Sequence, residues 1–297
     1  MKILSNKWFI LFILSLTWGS SFILIKQSIK VYDPVQVGAL RLCIAGLALV
    51  FFGVQNFKHI PKKLLPWVVV GGALGNFVPM FLFPIAQQKV SSSMAGILDS
   101  LVPIFVLIFG FLLFGIKSRL TQILGAVIGF IGAVILVSDD GHGQTNDLFN
   151  SFLIVLATIF YGINGLIIGR YLTSIPSFKL SSVVFTIWFG PALVILGFTG
   201  FFSEFEGTVE QWKGLGFVSI LGLVGTATAM ILFYKLVQQT SAIFASVVTY
   251  LMPIVAVIWG IVDGEKLTWI HGVGGILILV GVYLIQMAPK KEVVLSE

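Results

Sequence analysis

Apolar stretches about twenty residues long follow one another along this chain, and charge is almost absent from them. Trp67 to Gln88, Leu148 to Gly169 and Leu236 to Val262 contain no Asp, Glu, Lys or Arg. A hydrocarbon core about 30 Å thick takes roughly 20 residues of helix to cross. Inside it every backbone amide must bond within the protein, which a helix does on its own. Ten stretches qualify, at residues 8–28, 34–55, 65–86, 92–114, 120–138, 149–171, 179–201, 213–236, 242–262 and 268–287. The chain is therefore expected to be an all-α integral membrane protein with ten transmembrane helices.

Composition points the same way. Charged residues are 10% of the 297, against roughly 25% in soluble proteins, and mean hydropathy is +1.06. So few polar groups cannot cover a soluble surface of this size. Soluble enzymes, disordered chains and nucleic-acid modules are excluded, and the net charge of +6 marks a membrane side, not a polyanionic partner. Cys43 is the single cysteine, so no intramolecular disulfide or Cys-based metal site can form. The first stretch follows Lys2 and Lys7 as a signal peptide would. It lacks a small-x-small cleavage site and runs on through Ile25, so it is expected to be a retained helix.

Loop charge sets the expected orientation. One side collects Lys2, Lys7, Lys58, Lys62, Lys63, Lys117, Arg119, Arg170, Lys179, Lys235, Lys290 and Lys291; the other holds Lys26, Lys30, Lys89, Lys213 and Lys266. The richer side carries both termini, which are expected to be cytoplasmic in a multi-pass protein of the inner (plasma) membrane.

The chain also resembles itself at a shift of 150 residues. Gly72–Gly110 against Gly222–Gly260 gives 13 identities in 39 positions, including Gly72/Gly222, Gly75/Gly225, Gln88/Gln238 and Pro103/Pro253. At a shift of 149, Gly125 meets Gly274 and Gly132 meets Gly281. The spans then divide into a first repeat at 1–138, an extracytoplasmic linker at 139–148, a second repeat at 149–287 and a cytoplasmic tail at 288–297. Five spans is an odd number, so the second repeat enters the membrane inverted. Inverted-topology repeats suit alternating access, because the halves can exchange conformations across the bilayer.

Several motifs recur in this frame: Trp18-Gly19-Ser20-Ser21-Phe22 in the first span, Arg41 in the second, Pro103 and Pro253 in the fourth and ninth, and Gly264-Glu265-Lys266-Leu267-Thr268 before Gly274 and Gly281. With them the chain resembles the ten-helix EamA branch of the drug/metabolite transporter superfamily over nearly its whole length. The resemblance implies two five-helix EamA repeats and export or exchange of small metabolites, often amino acids. One departure stands out: the first repeat has Phe114-Gly115-Ile116-Lys117 where the second has its acidic Glu265.

Polar groups are costly in hydrocarbon, so those at mid-span mark a candidate site. The expected substrate-binding residues are Trp18, Ser20, Ser21, Arg41, Asn76, Asp99, Tyr161, Asn164, Thr228, Thr249 and Tyr250, with Thr226 at the same depth as Thr228. Each also has an ordinary structural explanation, since Ser and Thr bond their own helix and Tyr or Trp packs. Pro103 and Pro253 should kink their helices and release the carbonyls of Asp99 and Thr249. Arg41 and Asp99 are the only charges well inside spans, each roughly 6 Å from the midplane on the same side. Three roles stand open for them: a static ion pair, a clamp on a zwitterion, or, for Asp99, proton coupling.

The other charges look structural. Lys26, Lys235, Asp263 and Glu265 sit at helix ends, where they snorkel or cap. His142 among Asp139, Asp140 and Asp147 reads as a solvated loop. No nucleophile–base set, metal-ligand motif or P-loop appears, so no catalytic residues, metal or cofactor are expected. The partners expected are a small-molecule substrate, the lipid bilayer, and protons or a counter-substrate, with no nucleic acid. A channel-like facilitator or a non-transporting membrane scaffold is the competing reading.

Overall fold

The computed structural model describes residues 6–116, 119–137 and 148–287. Among them the secondary structure is helical throughout. Eight helices are long and apolar enough to cross a membrane: α1 Lys7–Ser28, α2 Pro34–Phe57, α3 Lys62–Ala86, α4 Ser92–Phe114, α6 Leu148–Tyr171, α7 Ser177–Phe198, α8 Val209–Gln239 and α9 Ala242–Val262. Two further apolar helices are shorter, α5 Leu120–Val137 and α10 Trp269–Met287. The expected linker, apart from Leu148, and the expected tail lie outside the described residues; Leu148 itself opens α6 and is not linker.

The helix starts are written in the sequence. Asp33 accepts the Val35 amide while Gln36 accepts the Asp33 amide, a capping box with Pro34 in the first turn of α2. Thr208 and Gln211 repeat the device on α8, which brings its start forward from the expected residue 213. Ser91 and Ser241 cap α4 and α9 by accepting the amides three residues on. Helix α7 stops at Phe198, three residues short of expectation, because Gly200 turns the chain at φ 76°.

Five spans are not regular helix. Helix α1 is interrupted at Ser20. Helix α4 ends its first segment at Asp99 and restarts at Val102. Pro103 thus stands in the first turn of a new segment, where a proline costs little; the expected kink within one helix is instead a break. Pro253 does lie inside the second segment of α9, Val248–Val262. The other two irregularities are π-helical turns at Ala73–Phe77 in α3 and Leu223–Thr228 in α8, 150 residues apart. Both fall in glycine-bearing stretches that the sequence comparison pairs.

Helices α5 and α10 pack chiefly on each other, and glycine makes this possible. A Cβ on Gly281 would run into the backbone of Gly125 and Gly129, and one on Gly132 would lie 2.7 Å from the Gly274 carbonyl. Small residues let helix backbones touch where no hydrophobic drive exists between helices. Replacing Gly281 by Val forces the helices apart, and the expected cost is about 2 kcal/mol. Thermal unfolding of the purified variant in detergent measures it.

Candidate functional site

The irregular segments converge on one cavity of about 80 Å³, lined by residues from both sequence repeats. Most of its wall is apolar, from Phe22, Met80, Phe83, Phe233 and Met252 among others. The polar part is small and specific. Of the eleven residues expected to meet a substrate, Trp18, Ser21, Arg41, Asp99, Tyr161, Asn164 and Thr249 line this cavity.

The other four are elsewhere. Ser20 accepts the Trp259 indole N–H at 2.9 Å. Asn76 is fully buried behind the wall and donates to the Tyr234 hydroxyl at 2.9 Å. Thr228 is exposed on the outside of the bundle. The Tyr250 hydroxyl donates to the Val282 carbonyl at 3.0 Å, tying α9 to α10. Helical phase separates Thr228 from the cavity: two residues along a helix from the inward-facing Thr226 is just over half a turn.

Arg41 and Asp99 both face the cavity, yet neither forms an ion pair among the described residues. The static pair is therefore not made. Arg41 instead donates its Nε–H to Thr226 Oγ1 at 2.6 Å. Asp99 Oδ1 is buried with no hydrogen-bond partner among the described residues, and so is Asn164 Oδ1. Tyr161 lies within electrostatic reach of both charges. Gly75, on the π turn of α3, leaves room for Asn164, which a Cβ there would strike. Trp18 is held by its indole N–H donating to the Gly225 carbonyl at 2.9 Å.

The freed carbonyl of Thr249, four residues before Pro253, accepts the Ser100 hydroxyl at 2.9 Å. A residue at the break in α4 thus covers the backbone opened in α9. Ser100 was not among the expected site residues, and Thr226 was noted only for its depth beside Thr228. The repeat held a signal for Thr226, since it occupies the position of Asn76 at the shift of 150.

Glu265 does more than end a helix. Its carboxylate accepts the backbone amides of Ser92 and Ser93 at 2.8 and 3.0 Å and the Ser93 hydroxyl at 2.6 Å. It thereby supplies the negative charge that the start of α4 favours. Lys26 bridges Glu265 at 2.8 Å and Asp263 at 3.0 Å, and Gln27 donates to Asp263 at 2.6 Å. The network ties α1, α4 and the α9–α10 turn together at the end of the bundle opposite residue 7.

The model of the EamA-like transporter family matches residues 6–138 and 148–287. The chain belongs to the EamA-like transporter family. The transporter is 28% identical to the uncharacterized inner membrane transporter YedA of Escherichia coli (strain K12), covering 96% of this chain and 93% of that one. It is 23% identical to a probable terminal-alkyne amino-acid exporter of Streptantibioticus cattleyicolor, covering 91% and 90%. A solved crystal structure superposes with a TM-score of 0.63 over 94% of this chain and 95% of that one, at 20% identity, a likeness of fold. The protein is a multi-pass membrane transporter.

Burial pushes the Glu265 carboxyl up, but the Lys26 ammonium and the Ser93 hydrogen bonds outweigh it and hold the group below its usual range. Asp263 is lowered in the same way, burial being outweighed by Lys26, Lys30 and Gln27. Carboxylates with lowered pKa stabilise the fold above about pH 4, where the free groups ionise. That contribution disappears as acid protonates them. The thermal midpoint should therefore hold near neutrality and fall on acidification below pH 4. Glu265→Gln should lose about 2 kcal/mol at pH 7 and show a shallower fall in acid. Scanning calorimetry across pH reads both.

Proposed function

We propose that this chain is a secondary transporter that moves a small organic metabolite, amino-acid-like or otherwise amphipathic, across the inner membrane by export or exchange. Two five-helix halves of inverted topology, counting α5 and α10 as spans, alternate access to the central cavity. Both termini face the cytoplasm, as the loop charges favour. A proton or a counter-substrate supplies the driving force.

One observation carries the substrate class. A buried cation, Arg41, and a buried carboxylate, Asp99, face one cavity without pairing. Charges at membrane depth are expensive unless neutralised, and a ligand bearing both signs neutralises both. Arg41 would take a carboxylate with its planar fork. Asp99, with the Asn164 carbonyl oxygen, would accept an ammonium. The apolar wall suits an aliphatic or aromatic side chain. The Streptantibioticus relative, a probable terminal-alkyne amino-acid exporter, is in keeping with this reading.

Counterflow in liposomes tests it. Labelled amino acids should exchange with saturation, which a channel would not give. Arg41→Lys and Asp99→Asn should each lower the rate at sub-saturating substrate at least tenfold, as expected for a lost charge-assisted bond. Unsaturable flux, or full exchange by both variants, overturns the reading. If Asp99→Asn retains exchange but loses its pH dependence, Asp99 carries the coupling proton and does not bind the ammonium.

A further inference from the structure

The expected site residues leave one buried contact unexplained: why a charge as costly as Arg41 is met by a threonine hydroxyl and not by an acid. Thr226 does not line the cavity. It is fully buried, and its hydroxyl is committed at both ends. It donates its proton to the Leu221 carbonyl at 2.8 Å, five residues back, and it accepts Arg41 Nε–H at 2.6 Å. The five-residue step matches the π turn at Leu223–Thr228, in which helix bonds lengthen to i−5. With its proton spent on the backbone, the oxygen can only accept from Arg41.

This orientation has a chemical result. A guanidinium presents two forks to a carboxylate, one made by Nε with one Nη and one made by the two Nη groups. Occupying Nε removes the first. Among the described residues no acceptor takes the Nη groups, so the second fork is left for the cavity. A neutral acceptor also leaves the positive charge uncompensated, which an acid in the place of Thr226 would not.

The other repeat repeats the arrangement. Asn76 stands on the π turn Ala73–Phe77, 150 residues before Thr226, and it too bonds a buried side chain of the opposite half, donating to Tyr234 at 2.9 Å. Each π turn thus offers one polar side chain across the interface between halves. The turn that carries Thr226 also holds Trp18, through the Gly225 carbonyl.

We propose that Thr226 is the positioning residue of the site, fixing Arg41 through Nε so that its terminal fork selects a carboxylate in the cavity. The proposal rests on the substrate reading above, in which Arg41 meets a carboxylate. It goes beyond that reading by assigning selectivity to a residue that touches no substrate.

The test separates the two. The chain has three arginines, Arg41, Arg119 and Arg170, so arginine-specific 15N labelling gives a readable side-chain spectrum, and the signal missing from Arg41→Lys identifies Arg41. Its Nε–H should exchange slowly with solvent in the wild type and in Thr226→Ser, which keeps the hydroxyl, and quickly in Thr226→Val, which keeps the shape. Binding of L-leucine and of isoamylamine, its decarboxylated counterpart, is measured on the same samples. Thr226→Val should weaken leucine about tenfold and leave the amine unchanged, while Thr226→Ser stays within about twofold of wild type. A protected Nε–H in Thr226→Val, or equal loss of leucine and amine, overturns the positioning role. If the wild type does not bind leucine, the amino-acid reading fails, and the exchange of Nε–H still decides whether Thr226 fixes Arg41.

Discussion

A backbone amide or carbonyl inside hydrocarbon has no water to turn to, so each departure from regular helix must find a partner within the protein. In this transporter two such carbonyls have been given one. The Gly225 carbonyl on the π turn of α8 takes the Trp18 indole, and the Thr249 carbonyl before Pro253 takes the Ser100 hydroxyl. These partners come from the other sequence repeat, so the satisfaction of the backbone also joins the halves. The cavity lies where this happens. Irregular backbone is tolerated at membrane depth because it surrounds a site, and the site has its shape because the backbone there is irregular.

Charge follows the same economy at two depths. At the end of the bundle, Lys26, Asp263 and Glu265 neutralise one another and cap α4, so they hold helices together and are closed to a ligand. In the centre, Arg41 has only a hydroxyl and Asp99 Oδ1 has no partner among the described residues. The contrast distinguishes structural charges from those left for function better than burial does, because Glu265 and Asp99 are both buried.

The sequence disclosed the elements well, since each span is a long apolar run and the caps at Asp33, Ser91, Thr208 and Ser241 are short-range signals. The breaks were less visible. Pro253 announces an opened carbonyl at Thr249, but the group that covers it, Ser100, stands 149 residues away and carries no local signal. At the site, depth along a span is legible in one dimension and phase around it is not. Thr228, Tyr250, Ser20 and Asn76 have the right depth and face elsewhere. Thr226, two residues from Thr228, faces inward, and no local composition marks the π turn that carries both beyond its glycines. Glu265 was legible as a helix-end residue, but its partners Ser92 and Ser93 are some 170 residues away.

The glycine contact between α5 and α10 bears on how the chain is made. Its two helices are separated by about 130 residues, and α5 has no comparably intimate neighbour before α10 arrives. At synthesis rates of about 5–20 residues per second, α5 waits in the bilayer on the order of ten seconds with its glycine face turned to lipid. The intervening helices can settle around the cavity in that interval. Assembly of this protein is therefore completed from its periphery, by the helix that emerges after all the others the structure describes.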